Sequence, residues 1–279
     1  NHYNIKYSQL NKEDIFYFKT PLLIDLYCQM LNSNKEEGVN AVFGLNGFKD
    51  VFERYIAKLS ENVKLKLDLG TVNQINDGFG RCSNAMLNNL EANVPLMKYY
   101  NLMQNQNLVS VRGTIGDEIL SEYLIYLDEN YNGNDVIIHT QQEVGGYLLA
   151  KRLINKHGTV DNVVNSDFFR DRIIGTVDPL HQLKDDILKF LLIESNEDSV
   201  VFNEYIDNPI VKKFTLITLQ TEKNNLKTVE LSRKINGKLK SKEEINEILS
   251  GFYSNFFDLD SPLNFKFIKN QLVNYNNND

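Results

Sequence analysis

The chain has no tryptophan, five prolines and two cysteines in 279 residues. Cys28 and Cys82 stand far apart and form neither a Cys-x-x-Cys pair nor any zinc-ligand spacing, which excludes a disulfide-stapled scaffold and a cysteine metal centre. One disulfide or two buried thiols remain open, and the reading favoured is two buried thiols in a reducing, soluble compartment. No apolar run approaches the roughly 20 residues that span a bilayer, so no membrane span is expected. Excess positive charge is missing as well. The net charge is −7 and the isoelectric point is near 5.3, so no general affinity for nucleic acid is expected. Neither a Gly-x-Gly-x-x-Gly run nor a P-loop spacing occurs, no third ligand completes a metal site, and no cofactor is expected. The first residue is Asn1 rather than methionine, which reads as a processed form or a fragment.

What is present is ordinary globular material: 42% hydrophobic and 24% charged residues, enough at this length for one large domain or two modest ones. Organisation is densest over residues 108–164. Leu108-Val-Ser-Val-Arg112 suits a strand, Gly113-Thr-Ile-Gly-Asp117 turns the chain, and Ile119, Leu120, Tyr123, Leu124 and Leu127 fall at helical spacing. Tyr131-Asn-Gly-Asn134 is expected to close that helix, and Asp135-Val-Ile-Ile-His139 has the continuous apolar character of a doubly buried parallel strand. With a following helix and a third strand over residues 160–164, the expectation is a βαβα core. The fold class expected is therefore α/β with a mostly parallel central sheet. An N-terminal α/β extension would occupy residues 1–101, the core residues 102–200, and a C-terminal hairpin plus helix residues 201–279, the three fitting equally within one domain.

Within the outer segments, Phe52, Tyr55, Ile56 and Leu59 mark a helical face, while residues 63–69 alternate as a half-exposed strand does. Residues 76–80 read as a turn, residues 86–97 as helix-like up to Pro95, and residues 182–193 as a helix. Residues 214–219 and 227–231 suit an antiparallel hairpin. Ser241-Lys-Glu-Glu244 is a capping box opening a helix with Ile245, Ile248, Leu249, Phe252 and Phe256 on its apolar face.

Ligands of open α/β sheets collect outside the carboxyl ends of the strands, which points to His139-Thr-Gln-Gln-Glu143-Val-Gly-Gly146. In that segment His139 is the candidate acid/base, Glu143 its orienting carboxylate, and the Gly145 and Gly146 backbone N–H groups a candidate anion or oxyanion cradle. The competing reading is a tight turn in which His139 is structural. His181 and Asp185 stand four apart, a spacing that can ligate a metal but more often marks an exposed helix start. Asp68-Leu-Gly-Thr71-Val-Asn73 resembles the first phosphate motif of actin-like ATPases, although a plain strand and turn explains it without the second glycine-rich loop.

Val111-Arg-Gly-Thr-Ile115, Asp135-Val-Ile-Ile-His-Thr140, the Gly145-Gly146 pair and Ile174-Gly-Thr-Val-Asp-Pro179 together resemble the ClpP-like and serine-dehydrogenase-proteinase superfamily. The resemblance implies that Gly145 and Gly146 contribute oxyanion donors. A nucleophilic serine among small residues at a helix start is also implied, yet Ser166 is the only serine between Gly146 and Asp178 and has bulky, charged neighbours. The implied function is thus a non-catalytic subunit, a scaffold working through a protein partner or as a homo-oligomer. Its rival is a hydrolase or transferase acting on a small anionic ligand at the His139 to Gly146 turn. A weaker alternative comes from Arg152-Leu-Ile-Asn-Lys-His157, which matches the Arg-x4-His pattern of HEPN-type ribonucleases and would require both side chains in one cleft.

Overall fold

A computed structural model describes residues 4–6, 24, 27–28, 32, 39–40, 48–106, 110–122, 124–196, 199–205, 207–208 and 210–211. The expected C-terminal hairpin and capped helix, residues 214–256, lie outside the described residues. The chain divides into two compact units, residues 1–51 with 192–279, and residues 52–191. In the first, β1 (Ile5–Lys6) pairs in parallel with β2 (Val39–Asn40). Ile5, Tyr27, Val201, Phe202 and Val211 are buried, and Ser199 caps the short helix Val200–Glu204 by accepting the Val201 N–H.

The second unit carries most of the described structure and is mainly helical. Its elements are α1 (Phe48–Lys66, entering the unit at Phe52), α2 (Asn73–Asn89), β3 (Asn93–Pro95), α3 (Leu96–Gln104), α4 (Ile115–Ser121), β4 (Ile125–Tyr131), β5 (Asn134–His139), α5 (Gln142–His157), α6 (Val160–Val164), a single π turn (Phe169–Ile173) and α7 (Lys184–Glu194). The sheet has three strands in the order β3-β5-β4, and both pairings are antiparallel. The mostly parallel central sheet and the βαβα core expected from the sequence are therefore not formed.

The error turns on one dipeptide. Asn132-Gly133 ends no helix; it is the two-residue loop of a hairpin, with φ of 49° and 82°, and Tyr131 pairs with Asn134 across it. Both loop residues need positive φ in such a turn, which asparagine and glycine tolerate best. Helix α4 stops at Ser121, so Leu124 and Leu127, placed by periodicity on a helix, lie before and within the strand-forming segment. Start signals for α4 are local: Thr114 accepts the Asp117 N–H, and the Asp117 carboxylate accepts the Gly113 N–H. Ser110 and Val111 form no strand, and residues 107–109 lie outside the described residues.

Two further expected strands are helices. Residues 63–66 complete α1, because Phe52, Tyr55, Leu59 and Val63 recur on one buried face and tertiary burial outweighs the local alternation. Residues 160–164 form α6, capped by Thr159 accepting the Asn162 N–H. The expected turn at residues 76–80 is also helical: Gly78 lies within α2, where a Cβ would come 2.8 Å from Met103 Cε. Phe52, Tyr147 and Phe190 join α1, α5 and α7, with ring centroids 5.5 to 6.0 Å apart in tilted or edge-to-face pairs.

Candidate functional site

β5 delivers His139 to the start of α5. The Thr140 N–H is taken by the Leu124 carbonyl at 3.0 Å, which fixes the exit of the strand. The imidazole is 8% exposed and, among the described residues, its Nδ1 has no hydrogen-bond partner. Burial disfavours the imidazolium and lowers its pKa to about 4, so the ring is neutral at pH 7. Nδ1 is consequently not oriented by Glu143, the partner expected from the sequence.

Gly145 and Gly146 lie inside the first two turns of α5 rather than in an open loop. The Gly145 N–H donates to the Gln141 carbonyl at 3.2 Å. A Cβ on Gly145 would stand 2.9 Å from Leu183 Cδ1 and 3.0 Å from His139 Cδ2. On Gly146 it would stand 2.2 Å from Asp186 Cβ and 2.8 Å from the Asp186 carbonyl carbon. Real Cβ contacts do not come that close, so these glycines let α7 and the imidazole press against the α5 backbone.

The electrostatics of this joint are acidic. Burial raises the Asp186 carboxyl to about 6, the Glu143 carboxylate raises it further, Lys189 opposes, and Asp185 adds to the rise. Glu143 thus acts on Asp186, and the start of α5 faces carboxylates, the wrong sign for an anionic ligand.

His181 is the second buried histidine. Its Nδ1 accepts the Leu183 N–H at 3.0 Å, its backbone N–H donates to the Arg172 carbonyl at 3.0 Å, and its ring meets Phe168 edge-on. Burial lowers its pKa to about 4; the Met86 carbonyl is near enough to oppose the drop, although Nε2 makes no well-formed hydrogen bond. Next to it, the Gln182 N–H donates to the Leu90 carbonyl and Gln182 Oε1 accepts the Ala92 N–H, clasping the end of α2. Asp185 is exposed and paired with Lys184, and among the described residues no group of three acids, histidines or cysteines is arranged to hold a metal.

The other sequence candidates are placed as follows. Ser166 Oγ donates to the Val163 carbonyl and accepts the Phe169 N–H, a helix-joining role. Residues 68–72 lie in the link from α1 to α2, with Asp68 at φ 50°, and Asn73 opens α2. Arg152 lines a 470 Å³ cleft between α1, α2 and α5, whereas His157 lines a separate 290 Å³ depression with Lys156, Phe168 and Arg172. Cys28 is half-buried and Cys82 buried, both as free thiols, the latter pushed up to about 12 by burial. Among the described residues no helix is long and apolar enough to cross a membrane.

Two groups were not singled out from the sequence. Asp186 is one, its carboxyl partly removed from water where α7 packs on α5. The other is the set around Arg152: Asn84, Gly80 and the Lys151, Tyr147 and Glu53 side chains. Tyr147 and Lys151 stand four apart on α5, a spacing visible in the sequence, but their partners come from α1 and α2. No protein-family model matches the chain, and no curated protein matches it.

Proposed function

We propose that this chain is a non-catalytic subunit that acts through protein contacts, as a homo-oligomer or with a protein partner. In this reading residues 139–146 are a packing joint between β5, α5 and α7. The observation that carries it is the seat of the imidazole: neutral, buried and pressed on Gly145, with Nδ1 away from any orienting acid. A general base needs reach to a proton on substrate and a pKa near the working pH, and His139 falls short on both counts. The acidic surroundings of Asp186 and Glu143 also argue against a cradle for a small anion at that turn.

The test pairs mass with turnover. Light scattering on the full chain is expected to show a mass above the 32.3 kDa of one copy, or a stable complex with an added partner, unchanged in a folded His139→Gln variant. The reading fails if the chain hydrolyses an ester or phosphoester substrate and H139Q lowers that turnover by roughly 100-fold or more without unfolding.

A further inference from the structure

The cleft between α1, α2 and α5 differs from the His139 joint in being open and polar, with Arg81, Lys151 and Arg152 set against the Glu53 and Asp77 carboxylates. Its volume, 470 Å³, is within the range of small-molecule sites. Ile56, Phe79 and Leu148 supply apolar lining, and charged side chains come from all three helices.

Two arginines line it, and they are used differently. Arg81 donates through Nε and Nη2 to the Leu102 and Met103 carbonyls, so it caps the end of α3. Arg152 donates only Nε, to Asn84 Oδ1 at 2.8 Å. Among the described residues neither of its terminal amino groups makes a hydrogen bond or ion pair. Its guanidinium is half-buried and held over Gly80, where even a Cβ would be 3.5 Å from Nη1. A tethered guanidinium with both outer N–H groups open is a preformed fork for two oxygens of one anion.

The adjacent Lys151 adds charge. Its Nζ donates to the Tyr147 hydroxyl at 2.9 Å, Tyr147 donates to Glu53 at 3.2 Å, and Lys151 lies 3.6 Å from Glu53. This pair is half-exposed, so Lys151 can exchange Glu53 for an incoming anion at little cost. We propose that the α1/α2/α5 cleft binds a small organic oxyanion, its carboxylate or phosphate held by the Arg152 fork and its apolar part against Ile56, Phe79 and Leu148.

Calorimetric titration of the full chain with phenyl phosphate and with benzoate, against phenol as a neutral control, tests this. Saturable binding of at least one anion, and not of phenol, is expected. Arg152→Gln should weaken that binding at least roughly tenfold, because it removes charge and fork together. Arg152→Lys should fall between, since it keeps the charge and a donor for Asn84 but loses the planar pair. Circular dichroism of each variant separates loss of binding from loss of fold; should R152Q unfold, R152K carries the comparison. Binding of one anion alone identifies phosphate or carboxylate as the preferred group. The proposal is overturned if neither anion binds the wild-type chain, or if folded R152Q and R152K bind as tightly as wild type.

Discussion

The His139 joint lies at the start of α5 and the Arg152 cleft runs along the same helix from Tyr147 onward, and they put glycine and charge to opposite uses. At the joint, Gly145 and Gly146 remove side chains so that Leu183, His139 and the Asp186 backbone can close on α5. At the cleft, Gly80 leaves a guanidinium open where a side chain would still fit. Titratable groups at the joint are driven toward neutrality by burial, whereas Lys151 and Glu53 at the cleft are half-exposed. Density at the joint and access at the cleft indicate which is architecture and which is available to a ligand.

Acid should weaken the fold through its two buried histidines, one of them at the joint. Between about pH 4 and 6 the unfolded chain protonates His139 and His181, which the folded chain keeps neutral, so stability falls as pH drops. Asp186 works the other way. Its folded pKa near 6 lies above the ordinary carboxylate value, so the folded state holds a proton there that the unfolded state lacks, and that stabilisation is lost as pH rises through 6. Two histidines against one carboxyl leave a net difference of one proton, a slope of about 1.4 kcal/mol per pH unit. Urea denaturation at stepped pH should show, relative to wild type, a fall steeper by about 1.4 kcal/mol per unit for Asp186→Asn and shallower by about 1.4 kcal/mol per unit for His139→Gln. Equal slopes in all three would remove the burial argument for His139 and for Asp186.

Next in size is Gly146→Ala. A methyl group placed 2.2 Å from Asp186 Cβ and 2.8 Å from its carbonyl carbon meets backbone, which cannot swing aside as a side chain can. Overpacking of about 3 kcal/mol, less the roughly 1 kcal/mol that alanine returns in helix propensity, leaves a loss of about 2 kcal/mol. A denaturation midpoint equal to wild type would show that α5 and α7 are not in tight contact at this position.

How much of this was legible in the sequence differs between the joint and the cleft. The strand ending at His139, the helix after it and the polar residues at their junction follow from local pattern, and β5 and α5 occupy those positions. Strand direction does not follow from β5 alone, because an apolar run such as Val136-Ile-Ile138 suits the middle of an antiparallel sheet as well as a parallel one. Asn132-Gly133 between two strand-forming runs was the deciding signal, and its reading as a helix stop carried the whole parallel-sheet expectation with it. Likewise Gly145-Gly146 reads as a ligand-facing turn until α7, nearly 40 residues on, is seen to occupy the space. The cleft was less legible still: Glu53, Asn84 and Arg152 are brought together only by packing of α1 and α2 on α5.

Tyr147→Phe sharpens the cleft side of the contrast. The ring keeps its contacts with Phe52 and Phe190, while the hydroxyl that accepts from Lys151 and donates to Glu53 is lost. Loss of these partly buried hydrogen bonds should lower stability by about 1 kcal/mol in thermal or chemical unfolding. A loss above about 3 kcal/mol would mean that the relay belongs to the core rather than to an open cleft.

Gly80→Ala is the smallest effect and reverses the sign seen at Gly146. Its Cβ would meet Arg152 Nη1 at 3.5 Å and Cζ at 3.8 Å, ordinary van der Waals separations, and the backbone there is within α2. Alanine therefore restricts the unfolded chain and improves helix propensity without a clash, a gain of up to about 1 kcal/mol. Two residues earlier, on another face of α2, Gly78→Ala would push on Met103 Cε at 2.8 Å and its carbonyl oxygen at 3.1 Å, so the same substitution should lose stability there. Thermal unfolding of the two single variants separates them: a rise for Gly80→Ala with a fall for Gly78→Ala places the cleft on one side of the helix and packed core on the other. A fall at both positions would mean that the space beside Arg152 is already filled, leaving no room for an anion to reach the fork.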